Sequence, residues 1–320
     1  MNLIKKISTA VMLLAAIHLC SCVSLVEKFY PEDTAKETKP AFVPVDVEEG
    51  SVYFKDFDGN EITLEKAPGK IVSLSNISTE ILCGIGAGRY IVAMNKNSTE
   101  IEDAPIAAEV LPEFYSDTEK LIKLSPEIVF YDNTLSYLTV SVLKNAGLTL
   151  VRIPEKGDIS TAEANIRFIA SLMFRDTAGE MLIREMRDEF KKMQVMAELM
   201  GIKKSVYIEG TSAFSAYGGD SIVSELCAYA GAENVFSDKT GTFTTNAEEI
   251  RKKDPEAIIV LTSDLENFSS DSVTKREGMQ DVMAVRLKAV YAIDLKTATR
   301  PTQNITKALK SIGEALKVTK

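Results

Sequence analysis

From residue 70 onward, short apolar runs alternate with stretches in which apolar residues recur at helical spacing. The pattern predicts strands at residues 70–74, 90–94, 127–131 and 148–153, with helices at 78–85 and 139–146 and a short helical piece at 121–124. A second series predicts strands at 205–209, 257–261 and 290–294, with helices at 221–230 and 303–316. Strands separated by helices imply parallel pairing with helices on both faces of a sheet. Between the series lies a stretch of another kind, residues 159–174. Ile159, Ile166, Ile169, Ala170 and Met173 fall at helical spacing, Gly and Pro are absent, and Asp158 and Ser160 are placed to cap its start. Sixteen residues at the α-helical rise give roughly 24 Å, enough to pass from one lobe to another. A second long helix is predicted at 176–200, beside it. Ahead of the first series, alternating residues at 52–57 and 61–64 around Asp58-Gly59 predict a hairpin.

Related sequence stands on each side of the joining helix. Glu119 lies seven positions before Pro126-Glu127 and an apolar strand; Glu248 lies seven positions before Pro255-Glu256 and another. The chain therefore reads as two related, Rossmann-like α/β lobes with mostly parallel sheets, joined by one long spanning helix, with a cleft between them. The expected divisions are an N-terminal lobe at 51–157, the spanning and following helices at 158–200, and a C-terminal lobe at 201–320.

The first fifty residues follow a different pattern. Lys5 and Lys6 precede an apolar run at 7–19 that is short for a membrane span, as in an export signal over residues 1–22. It closes on Leu19-Cys20-Ser21-Cys22, which resembles the lipobox of bacterial lipoproteins. A small residue belongs before the lipid-bearing cysteine, so Cys22 is the expected site in preference to Cys20, and an exported, lipid-anchored protein facing the periplasm or cell exterior is expected. Residues 23–50 hold Pro31, Pro40 and Pro44 among charged residues without apolar period, and read as a disordered tether.

Composition then narrows the function. Net charge is −9 over 320 residues, and a surface this acidic argues against nucleic acid, whose phosphates call for clustered Lys and Arg. The only histidine, His18, lies in the export signal, so a mature chain has no histidine general base or triad, and an enzyme is not expected. Gly84, Gly86 and Gly88 close a helix instead of following a strand, which makes them a C-cap and not a dinucleotide loop. Cys83 and Cys227 fall in helices of different lobes and read as free, buried thiols with no zinc partner.

In open α/β sheets, ligands bind beyond the carboxyl ends of the strands. That rule selects Ser75, Asn76, Asn95, Tyr131 and Asn133 in the first lobe and Thr211, Tyr217, Asp264 and Arg300 in the second, with Tyr115 on a loop before Glu119. A guanidinium at 300 suits a carboxylate or catecholate, and a tyrosine phenolate at 115, 131 or 217 could ligate haem iron.

The ordered set Ala67-Pro68-Gly69-Lys70-Ile71-Val72, Thr79-Glu80-Ile81-Leu82, Leu124-Ser125-Pro126-Glu127-Ile128-Val129, Ala164-Asn165-Ile166-Arg167 and Asp254-Pro255-Glu256-Ala257 resembles bacterial ABC-importer binding proteins for vitamin B12, haem and iron–siderophore complexes. The likeness runs over roughly residues 52–316. It implies a rigid two-lobed binding protein that captures an iron(III) chelate, siderophore or haem, or alternatively cobalamin. It implies no resident cofactor, only iron or cobalt within the ligand, and no metal held directly by the protein. The implied partner is a permease dimer with its ATPase subunits, met by a monomer. Glu119 and Glu248 match the acidic positions that pair with permease arginines in that family; a helix-start capping role is the alternative.

Overall fold

The computed structural model describes residues 52–317 except 58, 60, 113–116 and 134. The export signal, Cys22, the 23–50 tether and Tyr115 lie outside the described residues. The chain opens with the antiparallel hairpin β1 (Val52–Lys55) and β2 (Glu61–Leu64). Gly59 turns it at φ +79°, where a side chain is disfavoured.

The first lobe is a five-stranded parallel sheet of order β5-β4-β3-β6-β7. Its strands are β3 (Ile71–Ser73), β4 (Ile91–Asn95), β5 (Glu109–Leu111), β6 (Ile128–Tyr131) and β7 (Leu150–Arg152). Three helices accompany them: α1 (Asn76–Gly84), α2 (Thr118–Leu124) and α3 (Tyr137–Asn145). The second lobe has a six-stranded sheet. β8 (Lys204–Glu209), β12 (Ala257–Thr262) and β13 (Val290–Asp294) pair in parallel, β10 (Ala232–Asn234) also runs parallel to β8, and β9 (Ser215–Tyr217) with β11 (Thr242–Thr244) adds an antiparallel edge. Its helices are α6 (Ile222–Tyr229), α7 (Ala247–Lys253), α8 (Asp271–Thr274), α9 (Met283–Arg286), α10 (Leu295–Thr299) and α11 (Ile305–Ala315).

Between the lobes run α4 (Ile159–Leu172) and α5 (Asp176–Leu199). Asp158 caps α4: its carboxylate accepts from Thr161 N at 2.9 Å while Thr161 Oγ1 faces back to the Asp158 amide. The helix stops two residues short of the expected 174, where Phe174 turns left-handed at φ +55°. α4 and α5 then approach closely at Gly179, where a Cβ would stand 2.6 Å from that of Ala170.

Strands buried on both faces explain why the apolar runs are continuous. On β3, β6, β8 and β12 alternate residues divide between two sides. Ile71, Ile128, Phe130, Val206, Ile208, Ile259 and Leu261 enter one core that continues from lobe to lobe beneath α4. Val72, Val129 and Leu150 join an outer core in the first lobe with Leu121 of α2. Tyr207, Ile258 and Val260 join the second lobe's outer core with Ile250 of α7.

The sequence repeat is a structural repeat. α2 and α7 are seven-residue helices on the outer faces, each followed by a left-handed non-glycine residue, Ser125 at φ +45° and Asp254 at φ +43°. Pro-Glu follows, and the Glu carboxylate caps the start of the neighbouring central strand. Glu127 accepts from Gly69 N and, at 3.2 Å, Lys70 N; Glu256 accepts from Ser205 N at 3.0 Å.

Candidate functional site

The strand registers align the carboxyl ends of each sheet along one edge, with Tyr131 opposite Arg152 and Thr262 opposite Asp294. In the first lobe this edge is a connected network of short polar side chains. Asn95 ends β4 and is buried; its Nδ2 donates to Leu74 O at 2.9 Å and its Oδ1 accepts from Ser98 N at 2.9 Å. Ser98 Oγ stands 2.9 Å from Asn76 Oδ1 and 3.0 Å from Asn95 Oδ1. Ser75 is the N-cap of α1, and its carbonyl accepts from Ser78 Oγ at 2.9 Å and Thr79 Oγ1 at 3.1 Å. Its own hydroxyl is buried with no hydrogen-bond partner. The structure thus brings Ser75, Asn76 and Asn95 together.

Tyr131 ends β6 on the neighbouring strand and is buried in the outer core with Leu74, Val129 and Leu150. Asn133 is exposed and tied to its neighbours. Its amide and Nδ2 donate to Glu155 at 3.1 and 3.2 Å, and its Oδ1 accepts from Arg152 at 2.6 Å. Partial burial, then the charge of Asp132, pushes the Glu155 carboxyl above its ordinary range.

In the second lobe, Thr211 is exposed after β8, and Tyr217 is half-buried at the end of β9, where burial pushes its phenol upward. Asp264 is exposed and organises its own loop, accepting from Asn267 N at 3.2 Å and Asn267 Nδ2 at 2.9 Å. Arg300 turns inward across the lobes: its Nη1 donates to Glu80 at 2.7 Å. Glu80 is 5% exposed and also accepts from Thr302 Oγ1 at 2.6 Å and Asn304 Nδ2 at 3.0 Å. Beyond β13 the chain forms the short helix α10, of which Arg300 is the C-cap.

Three features of this edge were not foreseen. Glu209, 1% exposed at the end of β8, is clamped by Arg276 through two bonds of 2.7 and 2.8 Å, and also accepts from Tyr207 Oη and Phe214 N, each at 3.1 Å. The Arg276 guanidinium lies over the Phe214 ring at 5.2 Å. Tyr137 and Leu138, 90% and 73% exposed, open α3 just beyond β6, and Leu265 is exposed beyond β12. The Ser136 cap accepting from Thr139 N was the signal that α3 begins at Tyr137, inside the strand-end zone.

Glu119 and Glu248 sit in the first turns of α2 and α7, exposed on their outer faces. The caps of these helices are Asp117 and Asn246, which accept from Lys120 N and Glu249 N at 3.0 Å each. The two glutamates pair with lysines one turn on, Lys123 at 4.0 Å and Lys252 at 2.8 Å. Among the described residues no helix is long and apolar enough to cross a membrane.

Comparison with known proteins agrees with this architecture. The family model described as "Periplasmic binding protein" matches residues 71–297. An uncharacterized ABC transporter substrate-binding lipoprotein, YvrC of Bacillus subtilis, is 26% identical over 314 residues, covering 96% of this chain and 95% of the relative. A cobalamin-binding protein of Halobacterium salinarum is 22% identical, over 81% of this chain and 72% of its own. Among solved structures, a possible iron-binding, periplasmic solute-binding protein from Staphylococcus epidermidis superposes with a TM-score of 0.71 at 22% identity, over 78% of this chain and 99% of that one. With the two-lobed fold, the continuous core and the family match in agreement, the chain belongs to the periplasmic binding protein family and is the substrate-binding component of an ABC transporter.

Proposed function

We propose that the cleft edge captures a metal-containing chelate, a corrinoid ahead of a ferric siderophore or haem, and that the protein hands it to a permease dimer with its ATPase subunits. The observation carrying this choice is the state of the two arginines near the second lobe's carboxyl edge. Arg300 is held by Glu80 and Arg276 by Glu209, so both guanidinium charges are met from within the protein. That leaves them poorly disposed toward an anionic catecholate or a haem propionate. Exposed Tyr137 and Leu138 on the facing edge suit a ligand with broad apolar surface and few charges. The name of the Halobacterium relative, a cobalamin-binding protein, points the same way; that of the Staphylococcus structure supports the iron reading as second.

The cobalt or iron arrives within the cargo, and the protein itself carries no resident cofactor and works by binding, not catalysis. Asn76, Thr211, Tyr217 and Asp264 supply polar contacts, while the buried Ser75 and Asn95 and the internally bonded Asn133 shape the edge that carries them. Cys22 carries the lipid that holds the monomer at the outer surface of a membrane. Glu119 and Glu248 meet permease arginines; their exposure, and the presence of other residues in the capping positions, support that role over capping. A thermal-shift panel of cyanocobalamin, haemin, a ferric hydroxamate and a ferric catecholate tests the ligand choice. A rise with cyanocobalamin alone is expected by mass action. A rise only with an iron chelate transfers the assignment to the second reading, and no rise with any of the four overturns both.

A further inference from the structure

The seam between the lobes is charge-sorted. Glu100, Glu80 and Glu102 belong to the first lobe and pair, in that order, with Lys296, Arg300 and Lys307 of the second. The outer two pairs are solvent-exposed. The middle carboxylate is not: it takes side-chain donors from Arg300, Thr302 and Asn304, all on one loop more than two hundred residues away. Gln303 of the same loop donates to the Glu80 carbonyl at 2.9 Å, and Asn165 of the spanning helix donates to Pro301 O at 3.2 Å. Glu80 on α1 therefore meets Arg300, Thr302, Gln303 and Asn304, and Asn165 meets the remaining residue, Pro301.

That loop connects two parts with different duties. Ahead of it, α10 follows directly from β13, whose carboxyl end forms the ligand edge; behind it, α11 is anchored in the shared core through Ile305, Leu309 and Ile312. On the first lobe, the helix that carries Glu80 starts at Ser75 and Asn76 in the polar network. Ligand edge and latch are thus joined through one helix on each side. A carboxylate with several donors from one rigid loop holds a single geometry, since losing it exposes an unmatched buried charge.

We propose that Glu80 is a positioning residue: its clamp by the 300–304 loop fixes the spacing of the two ligand edges and thereby sets how slowly ligand leaves. The kinetic part rests on the binding function proposed above; the mechanical part stands without it.

The test compares the full-length protein with Glu80→Gln and with Thr302→Val, a near-isosteric change that removes one donor and preserves folding should the first variant fail. Glu102→Gln, on an exposed pair, is the control. Hydrogen exchange should quicken in residues 80–87 and 300–306 of both variants but not in the outer helices α2 and α7. The dissociation rate of cyanocobalamin, or of the iron chelate that the panel selects, should rise about tenfold while association changes little. Exchange that stays at the parental rate, or quickens everywhere alike as in plain destabilisation, overturns the latch, as does an unchanged dissociation rate. Should the parent bind no member of the panel, the functional reading fails, and the exchange pattern still decides the mechanical claim.

Discussion

The Arg276–Glu209 pair gives the sharpest stability prediction. Glu209 is 1% exposed on its side chain and Arg276 18% exposed, so water screens little of the interaction. Arg276→Met keeps the alkyl stem and removes the guanidinium. The carboxylate then keeps two neutral donors, Tyr207 Oη and Phe214 N, each at 3.1 Å. Breaking a buried pair from one side costs about 3–5 kcal/mol, and losing the stacked cation over Phe214 adds about 0.5–1 kcal/mol. A total of about 3.5–6 kcal/mol corresponds to a fall of about 7–24 °C in Tm at the 2–4 °C per kcal/mol of large domains. Urea unfolding of the parent, Arg276→Met, Glu209→Gln and the double variant measures it. The double variant leaves no orphaned charge and keeps an acceptor for the two neutral donors, so it should regain more than half the loss, a coupling of at least about 2 kcal/mol. A single-variant loss below about 1 kcal/mol, or additive losses, would show that the pair contributes no more than an exposed one and would refute the reasoning.

Three further outcomes are expected. Glu119→Lys with Glu248→Lys should leave urea midpoint and ligand affinity near parental while abolishing uptake by the cognate transporter, because two reversed charges repel a cationic partner surface; normal uptake would sink the docking role. Gly179→Val should cost about 1–3 kcal/mol by forcing α4 and α5 apart, and an unchanged unfolding midpoint would contradict the contact. Burial raises the Cys227 thiol to about 12, against 9.0 for an unperturbed thiol. An acid group raised on folding stabilises fully below its unfolded value, so its share of stability should decline as pH climbs from 9 toward 12. Cys227→Ala should flatten that part of the alkaline profile; an equally steep decline would count against a buried thiol.

Much of the fold could be read from residue order because its signals are local. Strand β13 falls at the expected residues, and the Asp158 cap and the glycine-rich close of α1 each act within a few positions. At the C-cap, Gly86 turns at φ +72° while Ala87 N bonds Leu82 O at 2.7 Å. The short strands β5, β9, β10 and β11 were not expected. Three residues carry too little period to stand out, and their pairing partners decide them. The site was legible as an edge but not as a set of contacts. The carboxyl-end rule selected Ser75, Asn76 and Asn95, which do meet, yet nothing near Arg300 in the sequence indicates that its guanidinium meets Glu80. Likewise Arg276 and Glu209 are 67 residues apart, joined only by the fold. Long-range charge pairing leaves no spacing signature, and both arginines sit in segments that look like ordinary surface.

The account turns on where cargo lies. Crystals of the protein grown with cyanocobalamin, measured at the cobalt absorption edge, would locate the metal without reference to the surrounding density. The account predicts one anomalous peak between the two carboxyl edges, bounded by the Ser75–Asn76–Asn95 network on one side and by Thr211, Tyr217 and Asp264 on the other. A peak elsewhere, such as the groove of about 480 Å³ lined by Glu185, Glu189 and Lys310 between α5 and α11, would contradict it.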